Sequence, residues 1–395
     1  MTSILLSPPK IEGNIKYRPF YQPMELGTTA PLLLIGHADA QDMETPYRVT
    51  DMQGAINWLG ANQAQPLIRA LLEAYNTGAR DIYLYAAAPM SEYISDLSDR
   101  NTVKAEFGNK TFYELYHERL ATAYDVLSGY DSFEVAVPVE ASFCSNADID
   151  FVKPLADFCN LIFSKTSTSV MGVIGSRALV YNQALYDEVI NDANIAGVGE
   201  NGKLIMAVMG EGILVQPQFS QSYASSYATQ VGALLASRPL DRSIFGLRFK
   251  IVSGMAGFDL SDAQIETLTN AKINPVTRTQ RGKRGFSFQT RLISDNTLAL
   301  DGSDYWSINQ MRLVNYCVNQ IKTIANSYIG TNAAESFKQT IYDFMRGMLS
   351  SGIINDYRLG IQTDSRSGTM TVDVNLQPVF SIRSIYFTVE TGPGS

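Results

Sequence analysis

Apolar and polar residues alternate strictly near the end of the chain. Every even position from Met370 to Leu376 is apolar and every odd position from Thr369 to Gln377 is polar. A period of two is the mark of a half-buried strand. Pro378 interrupts the ladder. The alternation resumes with Phe380 and Ile382, slips one place at Arg383-Ser384, and continues through Ile385, Phe387 and Val389 to the polar end Glu390 to Ser395. A one-residue slip turns every later side chain to the other face. The last segment is therefore expected to leave its own sheet and seek another chain.

Upstream, strands alternate with helices. Residues 1–25 are polar, with Pro and aromatic side chains and a short extended patch running through Ile11, Ile15 and Tyr17, and read as an arm outside any core. Pro31 to Gly36 is a continuous apolar run, as expected of a strand buried on both faces. Asp51 stands as a helix cap before Ala55, Ile56 and Leu59, and Pro66 to Tyr75 is a helix with Pro in its first turn, closed by Asn76-Thr77-Gly78. Further strands are predicted at 81–86, 134–139, 170–174 and 203–208, with helices at 149–163, 182–190 and 221–235. The stretch from Met90 to Tyr113 is weakly patterned and reads as a surface excursion. This cadence predicts an α/β layer with a largely parallel sheet.

Near residue 250 the cadence changes to α+β. A short helix starts at Leu260 with Ser261 or Asp262 as cap, and strands at 272–276 and 284–293 flank the turn Arg281-Gly282-Lys283. Long helices follow at 305–329 and 333–349, then strands at 354–361 and 370–376 and the terminal one. The predicted organisation is an N-terminal arm (1–25), an α/β domain (26–250), an α+β domain (251–379) and a C-terminal arm (380–395).

Composition bounds the possibilities. With 395 residues, 45% hydrophobic and 18% charged, the chain is long enough for two or three cores. Its 31 Lys and Arg against 39 Asp and Glu give a net charge of −8, which argues against nucleic acid as a direct partner. No apolar run approaches the roughly 18 residues of a membrane span. The opening Met1 to Pro9 lacks the basic leader of a secretory signal. Three cysteines, Cys144, Cys159 and Cys317, leave an odd count and read as reduced thiols of a cytoplasmic product.

Candidate chemistry is sparse. Gly197 to Gly202 matches G-x-G-x-x-G, but it follows a predicted helix and precedes a strand. Dinucleotide binding needs the reverse order, so the segment reads as a turn and no cofactor is expected. His37 and His117 are the two histidines, and neither has a partner at metal-ligand spacing. Phosphate-loop and nucleophile-elbow motifs are missing. Lys272, Arg278, Arg281, Lys283, Arg284 and Arg291 form a basic run with no acid between Glu266 and Asp295. It reads as a solvated hairpin or as a contact patch for an acidic partner. Phe286 and Phe288 within it fall at strand spacing and not as a base-stacking platform.

Pro31 to Gly36 followed by Pro46-Tyr47-Arg48-Val49-Thr50 resembles the opening strand and helix entry of one family, the tail sheath proteins of contractile bacteriophages and related injection particles. Ala70 to Tyr85, centred on Ala74-Tyr75-Asn76-Thr77-Gly78-Ala79-Arg80-Asp81, is similar to its helix-to-strand passage. Gly232 to Ser237 with Asp241-Arg242-Ser243 resembles the segment before its C-terminal region, and Tyr305 to Val314 its long helix, though Gln310-Met311-Arg312 departs from the usual R-R-L string. Around Phe286 to Leu292 the chain keeps Gln289-Thr290-Arg291-Leu292 and lacks the usual W-G-x-R-T wording.

The resemblance implies a structural, non-enzymatic subunit of a virion tail, assembled in the host cytoplasm without cofactors or membrane. It implies six-fold rings of the protein itself, stacked around a tail tube protein between baseplate and tail terminator proteins. The α/β domain would face outward and the α+β domain inward. Ile11, Ile15 and Tyr17 in one arm and Ile385, Tyr386, Phe387, Thr388 and Val389 in the other would add strands to neighbouring copies. Lys272, Arg278, Arg281, Lys283 and Arg284 become candidate tube contacts. The alternatives are a tail or baseplate protein without contraction and an α/β enzyme.

Overall fold

The computed structural model describes residues 30–60, 65–96, 101–143, 149–176, 202–214, 223–240, 242–247, 249, 252–256, 260–279, 289–299, 307–331, 333–364 and 369–378. Its centre is an eight-stranded sheet. Strands β1 (Leu32–His37), β2 (Tyr47–Arg48), β3 (Ile82–Ala88), β4 (Val135–Pro138), β5 (Met171–Gly175) and β6 (Ile205–Met209) build most of it. β1 pairs in parallel with β3 and β4, and β4, β5 and β6 follow in parallel. All six residues of β1 are buried, as the unbroken apolar run requires.

Helices α1 (Met52–Trp58), α2 (Pro66–Thr77), α3 (Phe112–Leu127), α4 (Val152–Thr166) and α5 (Ala228–Ser237) cover the sheet. Asp51 caps α1, its carboxylate accepting from the Gly54 N–H at 2.6 Å. Pro66 opens α2 and Gly78, at φ +128°, closes it. α2 and α5 pack together on one face, and α3 and α4 pack together against the sheet. The chain runs from β1 through α2 to β3 and then through α3 back to β4; the right-handed rule for parallel crossovers puts the two pairs on opposite faces.

Four expectations are corrected. Helix α3 stands where no element was read; Thr111 and Glu114 form its capping box, and Leu115, Tyr116, Leu120, Ala123, Tyr124 and Leu127 bury one side. The excursion from Met90 to Tyr113 packs a small core of its own, with Met90, Tyr93 and Ile94 buried against Phe112 and Leu115. The helix expected over 221–235 begins later. Strand β8 (Tyr223–Ser226) comes first and pairs with β7 (Glu211–Leu214), which also pairs with β9 (Val252–Ala256) in a small antiparallel sheet. Finally, the main sheet continues past residue 250: after α6 (Asp262–Asn270), β10 (Asn274–Thr279) pairs in parallel with β6, and β11 (Gln289–Leu292) pairs antiparallel with β10. Ser261 is the residue that caps α6.

Beyond the sheet lie α7 (Ile308–Tyr328), α8 (Ala334–Ser350), β12 (Ile354–Asp364) and β13 (Thr369–Pro378). Ser307 and Gln310 cap α7, so it starts after the expected Tyr305. These elements enclose a second hydrophobic core, from Leu313 and Cys317 on α7 through Phe337, Ile341 and Met345 on α8 to Ile354 and Val372. The expected helix at 182–190, the start of the glycine string and both arms lie outside the described residues.

Two predictions follow from this packing. A Cβ on Gly232 of α5 would lie 2.5 Å from Cγ2 of Val137 on β4. Val is stiff at χ1, so the clash costs about 1–3 kcal/mol, against a gain of about 1 kcal/mol in helix propensity. Gly232→Ala is expected to lower stability by roughly 1 kcal/mol in urea unfolding; an equal or higher midpoint would mean the contact is looser.

Glu73 of α2 is buried beside β8, accepting from the Ser225 hydroxyl at 3.1 Å. Burial pushes its carboxyl from 4.5 up to about 7, against the opposing pull of Ser225, Tyr223 and Arg69. The folded chain thus holds this proton more tightly than the unfolded one. Its contribution is present below about 4.5 and lost as pH rises through about 7. Glu73→Gln keeps the neutral shape, so it should match the parent near pH 4 and exceed it at pH 8 by up to about 3 kcal/mol. Parallel pH–stability curves for the two proteins would remove Glu73 as the source.

Candidate assembly surfaces

The hairpin β12–β13 carries the alternation with which the sequence announced it. Tyr357, Leu359 and Ile361 stand opposite Leu376, Val374 and Val372; on the other face Arg358, Gly360 and Gln362 stand opposite Asn375, Asp373 and Thr371. α7 and α8 pack on the apolar face, burying Ile354 and Val372 and leaving Tyr357, Leu359, Ile361, Val374 and Leu376 partly covered. Among the described residues neither strand has a third neighbour, so each presents an open edge. An 11-residue strand offers such an edge over roughly 35 Å. Open edges of this length are templates for strand addition.

A second surface is the outer side of α8. Glu335, Gln339, Tyr342, Asp343, Arg346 and Leu349 are exposed at helical spacing, opposite the buried Phe337, Ile341, Phe344 and Met348. Tyr342 and Leu349 are 37% and 40% exposed, large apolar groups on an otherwise polar face.

The predicted basic contact is described in part. Lys272 sits in a left-handed turn, φ +66°, between α6 and β10, and is half-buried. Arg278 lies on β10 opposite Thr290 of β11. Six residues of strand separate the two by roughly 20 Å. Arg281, Lys283 and Arg284 lie outside the described residues, as do Ile11, Ile15, Tyr17 and Ile385, Tyr386, Phe387, Thr388 and Val389.

An enzyme of this architecture would place its site outside the carboxyl ends of the strands where the strand order reverses, here between β1 and β4. A narrow cleft near that point is lined by Arg69, Glu73, Glu140, Ser176, Glu211 and Ser225. Beside it His37, at the end of β1, places Nδ1 3.6 Å from a Glu140 carboxylate oxygen, and its Nε2 meets the Tyr93 hydroxyl. The imidazole is fully buried among Tyr93, Phe112 and Tyr116. A histidine sealed in this way has no path to a substrate. It ties the end of β1 to the excursion after β3.

The sequence reading missed this chain because its members stand 56 and 103 residues from His37. Among the described residues no group of three or more His, Cys, Asp or Glu is placed to hold a metal ion, and no helix is long and apolar enough to cross a membrane. Cys159 and Cys317 are buried, and burial pushes both thiols up, Cys317 to about 12.

Comparison with known proteins points the same way as the hairpin. Residues 301–392 match the family model of the phage tail sheath C-terminal domain. No curated protein matches the chain by sequence. The fold is similar to that of the anti-feeding prophage helical sheath in its contracted state, at TM-score 0.63 and 11% identity over 97% of this chain and 99% of that one. It is similar to the PVC sheath complex of an extracellular contractile injection system, also contracted, at TM-score 0.64 and 11% identity over 97% and 98%. A sheath tail protein from Desulfitobacterium hafniense matches at TM-score 0.60 and 13% identity over 94% and 97%. The chain thus has the fold of contractile sheath subunits over nearly its whole length, and its last quarter matches the phage tail sheath C-terminal domain.

Proposed function

We propose that this chain is the structural subunit of a contractile tail sheath, polymerising as stacked rings around a tail tube and contracting to drive the tube through an envelope. One observation carries the reading: the end-to-end correspondence with contracted sheath subunits, 97% of this chain against 99% of the prophage subunit. The open edges of the hairpin β12–β13 supply the means of assembly.

In this proposal the arms 1–25 and 380–395 cross to neighbouring copies and add strands to such edges. The 16 residues of the C-terminal arm span roughly 50 Å when extended, enough to cross a subunit boundary. Each added main-chain hydrogen bond contributes about 0.5–1.5 kcal/mol. Links of this kind, repeated through a lattice, keep it connected while the remaining contacts are exchanged. Contraction is then a one-way change between two packings of the same subunits, driven by interface energy without nucleotide or cofactor.

The partners are copies of the chain in six-fold rings, a tail tube, a baseplate and a tail terminator. The location is the tail of a virion or related particle, built in the host cytoplasm. The α/β part faces outward, and the α7, α8 and hairpin part faces the tube. We put the division between the two after β11, because β10 and β11 pair onto the sheet. The basic residues Lys272, Arg278, Arg281, Lys283 and Arg284 face an acidic strip of the tube. No catalytic role is proposed for His37, which is fully buried, or for the acids of the cleft.

Negative-stain microscopy of the expressed protein is expected to show long hollow tubes; uniform small oligomers count strongly against a sheath. Deleting residues 380–395 should abolish tubes and leave the thermal midpoint of the monomer unchanged. Loss of folding would instead assign the last strand to the subunit's own core. Reversing Lys283 and Arg284 to Glu should weaken binding to the cognate tube protein about tenfold or more at low salt. Unchanged binding removes the basic contact.

A further inference from the structure

The small antiparallel sheet β7–β8–β9 is rooted where β7 and β8 meet the α/β body. β7 starts straight after β6 by way of Gly210, at φ +135°, and β8 runs into α5 through Tyr227, whose N–H donates to the Gly210 carbonyl at 3.2 Å. The Gly210 N–H donates to the Ser176 hydroxyl at 3.1 Å, which ties this root to the end of β5. Only glycine takes such a φ without strain, so the chain turns here on a backbone pivot. Away from the root, among the described residues, the three strands pack mainly on one another.

A second attachment is made of side chains. Arg69 and Glu73 stand one turn apart on α2, and Tyr223 and Ser225 stand two residues apart on β8, so one side of the helix meets one face of the strand. The Arg69 guanidinium carbon lies 4.8 Å from the centre of the Tyr223 ring, and the Ser225 hydroxyl donates to Glu73 Oε2 at 3.1 Å. Ala224, between the two contacts, is exposed. Against these residues lies the cleft described above, a cavity of about 80 Å³, with room for a few water molecules.

Glu73 is the unstable member of this attachment. It is 1% exposed, and among the described residues its Oε1 has no hydrogen-bond partner. A charge there requires water that the closed cleft withholds. The other titratable groups lining the cleft are Arg69 of α2, Tyr113 of α3, Glu140 after β4, Glu211 of β7 and Tyr223 of β8. Glu140 and Glu211 bring two more carboxyl groups to the same space, and Arg69 is the one basic residue among those that line it.

We propose that Glu73 and Ser225 form a pH-sensitive latch: while Glu73 is neutral the small sheet stays closed on α2, and when Glu73 ionises the sheet swings about Gly210 and admits water to the cleft. Burial raises the carboxyl of the closed form from 4.5 to about 7, against the pull of Ser225, Tyr223 and Arg69, whereas a hydrated Glu73 returns to 4.5. The closed form therefore holds the proton more tightly. Its advantage is complete below about 4.5 and is lost as pH rises through about 7. At tenfold per unit, the ratio of open to closed grows roughly 70-fold between pH 5 and pH 8. The latch is a property of the single subunit and does not depend on the sheath reading.

Hydrogen exchange of the full chain tests this, read peptide by peptide at pH 5 and pH 8 and divided by the intrinsic chemical rates. A sheet of four- and five-residue strands frays once it is lifted from its support. β7 and β8 are expected to exchange faster than β1 and β4 at both pH values, and to speed up by as much as roughly 70-fold from pH 5 to pH 8. Glu73→Gln keeps the neutral shape and should abolish that rise. Ser225→Ala removes a bond that favours the ionised carboxyl and should move the rise to higher pH. Exchange of β7 and β8 at the rate of β1 and β4 would overturn the proposal, because the small sheet would then open only with the whole subunit. An equal rise in Glu73→Gln would assign the titration to another group and overturn it as well. The wild-type and Ser225→Ala measurements decide the matter even where the glutamine variant does not fold: a rise that is absent from wild type, or unmoved by Ser225→Ala, defeats the latch.

Discussion

One helix belongs to both hydrophobic cores of this protein, and the rest of the architecture is arranged around that constraint. Ile308 and Met311, in the first turn of α7, pack into the core of the eight-stranded sheet. From Leu313 onward the same helix turns its apolar side into the second core. Its polar side meets the ends of β4 and β5. A helix with 3.6 residues per turn can serve two cores in this way because successive residues present different faces. Without α7 and α8 the hairpin β12–β13 would be a two-stranded sheet in water, which is marginal by itself.

That arrangement suits a protein whose proposed work is mechanical. The hairpin is stiffened from one side by α7 and α8, while among the described residues its outer edges have no strand partner. In the proposed assembly the energy of strand addition goes to the lattice. Most of the α/β part is close-packed instead: all of β1, β4, β5 and β6 is buried, and Gly172 and Gly232 are places where a single methyl group would collide with a neighbour. A close-packed body transmits displacement with little deformation.

The carboxyl ends of the parallel strands, where many proteins of this architecture carry out chemistry, are here closed by polar contacts. His37 is fully buried between the Tyr93 hydroxyl and Glu140, whose carboxylate is partly exposed at the cleft, and Glu73 carries a proton over part of the neutral range because burial disfavours its charge. Perturbed carboxylates in a cleft often mark active sites. In this chain the perturbation comes from packing: burial of Glu73 of α2 beneath β8 raises its carboxyl against the opposing hydrogen bond from Ser225.

How much of this was legible in the sequence follows from the range of each force. Period-two alternation from Thr369 to Gln377, the apolar run of β1, the Asp51 cap and the Pro66 and Gly78 ends of α2 are local signals, and each element stands where its signal placed it. The likeness to sheath proteins was readable too, because it lay in the order of many such local passages. Helix α3 carried a capping box and a clear apolar stripe that an otherwise polar neighbourhood concealed. What only the tertiary structure decided is long-range. The sheet takes in β10 and β11 across the expected boundary, residues 223–226 form a strand because β7 supplies a partner, and the buried side of α7 is partly polar because Ser169, 150 residues from Asn319 in the chain, bonds to it. Sequence patterns record whether a residue is expected to face water. They do not record which distant group will replace the water.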